Sequence, residues 1–140
     1  MARAVAGVDP VDGGGPFGGT SVLEGGGRLD APTLVLGAGL ASTCAPEGRG
    51  HAAFAAAAGS PAWHLMLEGQ GHTDLLDDDP AGCGLACTVC PSGGQQPAMR
   101  EATATLLGAF LRLTLADDEA ARAVLDDPPQ GPIRVTAVAP

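Results

Sequence analysis

The sequence predicts an α/β fold built on parallel strands with flanking helices, and three observations carry that prediction. Thr33 to Leu36 is a continuous apolar run bounded by Pro32 and Gly37, which suits a strand covered on both faces. A helical stretch at 50–58 and a second strand at Trp63–Leu67 follow, and this strand–helix–strand spacing implies a right-handed parallel crossover. Residues 99–116 then repeat apolar side chains at helical spacing, enough to cover one face of such a sheet.

In chain order, residues 2–8 (ARAVAGV) fit a first buried strand that ends at Asp9-Pro10, since proline cannot donate to a ladder. From Asp12 to Asp30 the composition shifts to Gly, Pro and Ser, a long surface loop. After the strand within 31–40 comes a CAPEGRG linker, and the helix at 50–58 is stopped by Gly59-Ser60-Pro61. The Trp63–Leu67 strand leads into a turn containing Gly69 and Gly71, which delivers His72 to the carboxyl edge of the sheet. Residues 80–97 are loop-like. In the 99–116 helix, Leu106, Leu107, Phe110, Leu111 and Leu113 supply the apolar face. Asp117 is placed to N-cap a second short helix through Leu125, and residues 133–139 read as an edge strand or a tail. The domain is therefore expected over 1–125, with 126–140 as the tail or edge strand.

Bulk properties exclude some functions. A formal charge of −9 over 140 residues, with arginine as the only basic side chain apart from histidine, makes nucleic acid a poor partner. No stretch approaches the roughly 20 apolar residues that span a bilayer, and the first residues resemble neither a signal nor a transit peptide. Met1 leads almost directly into a strand, from which we expect that an upstream part of the domain lies outside this chain.

A histidine on a glycine turn after a parallel strand is a general-base position, and it calls for a nucleophile and a carboxylate. No Gly-x-Ser-x-Gly elbow occurs; Ser21, Ser42, Ser60 and Ser92 all lack that setting, so a hydrolase nucleophile is expected outside the chain. The strand end before His72's strand, GAGLASTC, offers no carboxylate. One strand earlier, Asp9 sits at the strand end and Asp12 three residues on. Asp9 is the better placed, with Asp12 as its alternative. The plain readings are an Asp-Pro turn for Asp9 and a solvent-exposed loop histidine for His72. His51 and His64 read as structural.

The four cysteines are Cys44, Cys83, Cys87 and Cys90. Without a secretory signal the default is reduced thiols, or one loop disulfide. Cys83-x-x-x-Cys87-x-x-Cys90 has the spacing of an iron–sulfur triad, and three thiolates with Cys44 or a histidine could bind zinc. Val89 stands where that triad would carry an aromatic, so the metal reading ranks last. The acidic run Asp77, Asp78, Asp79 lacks the ligand alternation of a calcium loop.

Five stretches together resemble the plant and algal chlorophyllase family: AVAGVDPVDG (4–13), PTLVLGAGL (32–40), CAPEGRGHAAF (44–54), PAWHLMLEGQGHTDLLDDD (61–79) and, more weakly, CTVCPSGGQQPAMR (87–100). The resemblance implies the C-terminal half of an α/β-hydrolase fold with an incomplete sheet. It also implies a carboxylic ester hydrolase that cleaves chlorophyll to chlorophyllide and phytol through a Ser-Asp-His triad. Carried over, the acid falls on Asp9 and the base on His72, while the serine elbow and oxyanion loop are absent. No cofactor is implied; the partner is chlorophyll or a related esterified tetrapyrrole, with peripheral membrane association and a plastid location following from the family alone. The rival expectations are a non-catalytic truncated product or binding module, and a lipid or polyester esterase on the same fold. Half a sheet would leave an uncovered edge, so marginal stability is expected.

Overall fold

A computed structural model describes residues 2–13, 19–21, 23, 26–46, 49–76 and 90–139. Four strands form one sheet in the order β1-β2-β3-β4: β1 is Val5–Val8, β2 Thr33–Ala38, β3 Ala62–Leu67 and β4 Val135–Ala137. The first three are parallel, with Val8 opposite Leu36 and Leu36 opposite Leu65. β4 returns antiparallel to β3, Val135 facing Leu67, so residues 133–139 do contain an edge strand. All six residues of β2 are buried, as the continuous apolar run demands. This is the expected α/β arrangement of mostly parallel strands with helices.

The two faces of the sheet are covered unequally. Helix α1, His51–Ala57, is short and has no fully buried residue. Helix α2, Gln96–Ala116, starts three residues earlier than its periodicity suggested, with a proline in its first turn. Its buried residues Met99, Thr103, Leu106, Ala109, Phe110 and Leu113 recur at helical spacing. They meet Leu34, Leu36, Leu65 and Leu67 in the main core. Leu111, expected on that face, is 41% exposed, because it falls one position off the buried series.

Asp117 does not cap a following helix. It adopts a left-handed conformation (φ 54°) and closes α2 through a backbone bond to the Arg112 carbonyl. A 3-10 turn, Glu119–Ala121, then leads into α3, Arg122–Asp126. Leu125 is fully buried, and Asp126 accepts a 2.8 Å hydrogen bond from the indole of Trp63. Trp63 in turn stands edge-on to Phe110, their centroids 6.1 Å apart.

Candidate active site

The carboxyl edge of the three parallel strands carries the site. Asp9 follows β1 immediately and accepts from two directions. The Ala38 amide at the end of β2 donates to its Oδ1 at 3.0 Å, and His72 Nδ1 lies 2.7 Å from its Oδ2. A carboxylate only accepts, so Nδ1 must carry the proton, which fixes the tautomer and leaves Nε2 as the free base. Asp9 is 2% exposed and its backbone sits at φ 40°, a region that non-glycine residues seldom occupy away from functional turns. Its amide bonds the Leu36 carbonyl at 2.7 Å, locking that conformation onto the sheet.

His72 opens a 3-10 turn, His72–Leu75, reached from β3 through Gly69 and Gly71. The two glycines have different reasons. Gly69 takes φ +69°, whereas a Cβ on Gly71 would collide with the carbonyl oxygen of Pro91. The His72 side chain keeps 35% of its surface exposed, so a reacting group can reach it. Its pKa is raised above the ordinary histidine value, chiefly by the Asp9 hydrogen bond, with burial opposing and the Asp9 charge assisting. The structure thus brings the two sequence-selected residues together over a separation of 63 residues.

Asp12, the alternative acid, points elsewhere. Its carboxylate accepts from the Ser21 hydroxyl and, at 3.0 Å, from the Leu23 amide, which joins residue 12 to residues 21 and 23. Ser42 and Ser92 have partners other than His72: Ser42 caps the amides of Cys44 and Ala45, and Ser92 bonds Asp74.

Sequence reasoning missed Asp74. It is fully buried, and its Oδ2 accepts from the amides of Gly71 and Gly93, each at 2.7 Å, while Oδ1 accepts from the Ser92 hydroxyl. The only sequence signal was its place in the Gly-His-x-Asp string. Sequence reasoning also missed the pairing of the cysteines. Cys44 and Cys90 form a disulfide across 46 residues, joining the loop after β2 to the start of segment 90–95. The reduced default is overturned for that pair, and both thiolates are withdrawn from the zinc or iron–sulfur grouping. Cys83, Cys87 and the run Asp77–Asp79 lie outside the described residues.

His51 and His64 face each other on the α1 side of the sheet, Nδ1 to Nε2 at 2.8 Å. One nitrogen must donate and the other accept, so both rings cannot be charged there. Burial, then the neighbouring His51, lowers the pKa of His64.

Comparison with known proteins shows the family of the chain. The family model described as Chlorophyllase matches residues 2–139. The chain belongs to the chlorophyllase family. It is 35% identical to chlorophyllase-2 of Arabidopsis thaliana over 129 residues, covering 81% of this chain and 41% of that protein. It is 32% identical over 154 residues to the chloroplastic chlorophyllase-1 of Citrus sinensis, covering 96% of this chain and 46% of that protein. Arabidopsis chlorophyllase-1 is 30% identical over 119 residues, covering 77% of this chain and 37% of that protein. The chain therefore spans less than half the length of the curated relatives it matches.

Proposed function

We propose that this chain supplies the acid and base of a chlorophyllase-type carboxylic ester hydrolase, Asp9 and His72, to a serine that lies in a segment outside these 140 residues. The observation that carries the reading is the 2.7 Å Asp9–His72 contact at the carboxyl edge of a parallel sheet, in a chain of this family. In that reading Nε2 of His72 takes the serine proton as Oγ attacks the ester carbonyl linking chlorophyll's propionate to phytol. The protonated ring then gives that proton to the departing phytol oxygen, and Asp9 stabilises the imidazolium formed between the two steps. A water activated by Nε2 releases chlorophyllide and restores the serine. The substrate class and a plastid location rest on the relatives' names, two of them chloroplastic, and a peripheral membrane contact rests on the family resemblance alone. Among the described residues no helix is long and apolar enough to cross a membrane.

Two measurements test this. The isolated chain should release no chlorophyllide from chlorophyll; measurable release would show that a nucleophile is present. A fusion that places the N-terminal portion of Arabidopsis chlorophyllase-2 ahead of residue 2 should hydrolyse chlorophyll. His72→Ala and Asp9→Asn should each reduce that activity by about 10³–10⁴-fold. A folded fusion that is inactive on chlorophyll but cleaves triacylglycerol would favour the lipid esterase, and one inactive on both would favour the non-catalytic product.

A further inference from the structure

Among the described residues, the base of the proposed reaction is held by one side-chain hydrogen bond. The His72 ring is one-third exposed and, among the described residues, its hydrogen-bond partner is Asp9. The ring's position then depends on the backbone that carries it, which is a four-residue 3-10 turn at the end of a glycine-containing loop. Such a turn has little rigidity of its own, because its hydrogen bonds are few and poorly directed.

The neighbouring carboxylate supplies what the turn lacks. Asp74 is fully buried, and all its described contacts are acceptor contacts: Gly71 and Gly93 amides on Oδ2, the Ser92 hydroxyl on Oδ1. Gly71 immediately precedes His72, so this carboxylate grips the backbone on which the base is mounted. Ser92 and Gly93 belong to a strap from Cys90 to Gln95 that lies against the turn, close enough for the Pro91 carbonyl to forbid a side chain on Gly71. The strap is fixed at its start by the Cys44–Cys90 disulfide. At the other end of the turn, Arg100 of α2 donates to the Leu76 carbonyl at 2.7 Å. A buried carboxylate is costly unless its lone pairs are filled, and here filling them clamps the 71–75 turn to the 90–95 strap beside the histidine.

We propose that Asp74 is a positioning residue: its carboxylate, gripping Gly71 and the 90–95 strap, holds His72 in register with Asp9. This rests on the reading of His72 as the base. The alternative is that Asp74 merely stabilises the loop, with the Asp9–His72 contact surviving its loss.

The Nδ1–H proton of His72, observed by NMR in the isotopically labelled 140-residue chain, separates the two. A proton held between imidazole and a buried carboxylate resonates far downfield and exchanges slowly with water, and Asp9→Asn should abolish that signal. Asp74→Asn keeps the shape of the side chain but sets an NH2 group against donors. It should speed exchange of the His72 proton by about fivefold or more, the factor that corresponds to one lost hydrogen bond of ordinary net strength. The variant should still unfold cooperatively and keep the His51 and His64 signals. A folded Asp74→Asn chain with wild-type exchange overturns the proposal. Should that variant not fold, Ser92→Ala removes a single donor and decides by the same criterion: faster exchange supports positioning, unchanged exchange overturns it. A downfield signal that persists in Asp9→Asn would instead overturn the Asp9–His72 pairing, and with it both the proposed function and the positioning role of Asp74; loss of the signal in Asp9→Asn with wild-type exchange in Asp74→Asn overturns the positioning role alone.

Discussion

Asp9 and Asp12 are chemically identical and three positions apart, yet only Asp9 meets an imidazole. Its placement follows from the strand: it is the first residue past β1, where an amide of the adjacent strand end, Ala38, can hold one oxygen and leave the other for His72. That much was legible, because a strand end is rigidly placed. Asp12's partners were not, since Ser21 and Leu23 come from a glycine-rich stretch with no periodic pattern. The two carboxylates should therefore fail differently. Asp9→Asn should lower the titration midpoint of His72, read by NMR, because the hydrogen bond that raises it is lost. Stability should follow by linkage. A raised histidine pKa stabilises the fold fully below the ordinary value of about 6.5 and ceases to do so as pH rises through the raised value. Asp9→Asn should accordingly lose stability on the acid side of that window. Asp12→Asn should leave the His72 midpoint in place and cost about 1–3 kcal/mol, the usual penalty for disrupting a buried acceptor. Equal His72 midpoints in the two variants would contradict this division of labour.

Among the elements, those with a repeating apolar pattern were legible and those built by side-chain-to-backbone contacts were not. α2 could be read from its heptad-like spacing, and β2 from its unbroken apolar run. The strap from Cys90 to Gln95 has no such signature; its conformation is imposed by Asp74 and by a disulfide whose partner lies 46 residues away. Asp117 shows the same limit. An aspartate between two helical stretches fits an N-cap by composition, but the left-handed geometry that ends α2 suits it equally well. The disulfide gives the element scale its test. On the chain-entropy account a bridge spanning 46 residues stabilises by about 4 kcal/mol, so Cys44→Ala/Cys90→Ala should lose about that much in urea denaturation against the oxidised parent. Limited proteolysis should show new cleavage near the strap, because its attachment to the β2 loop is gone. A double variant with parental stability and an uncut strap would mean that Asp74 and the α2 packing suffice to hold it.

For the molecule as a whole, the sheet divides the fold into a thick side and a thin one. Leu34, Leu36, Leu65 and Leu67 point toward α2 and join Phe110, Met99 and Leu106 in a single core. On the opposite face α1 buries no residue fully, Gly37 of β2 makes room for the His51 ring, and His51 and His64 form a polar contact where the other face has hydrocarbon. Stability should therefore be carried almost entirely by the α2 side, while the carboxyl edge that holds Asp9 and His72 is anchored to both β1 and β3. Phe110 is fully buried, and Phe110→Ala should cost about 3–5 kcal/mol through lost transfer energy and a residual cavity. That approaches the whole stability of a small domain, so no cooperative thermal transition should remain. Phe54 on α1 is only partly buried, and truncating it should cost about 1–2.5 kcal/mol, less than the roughly 1.5–3 kcal/mol of full burial and without the cavity term. Its melt should stay cooperative at a lower midpoint, with the His72–Asp9 pair intact, because the described hydrogen bonds that hold that pair come from β2 and the 72–75 turn and none from α1. If Phe54→Ala proved as damaging as Phe110→Ala, α1 would have to be as much a core element as α2, contrary to its lack of buried side chains.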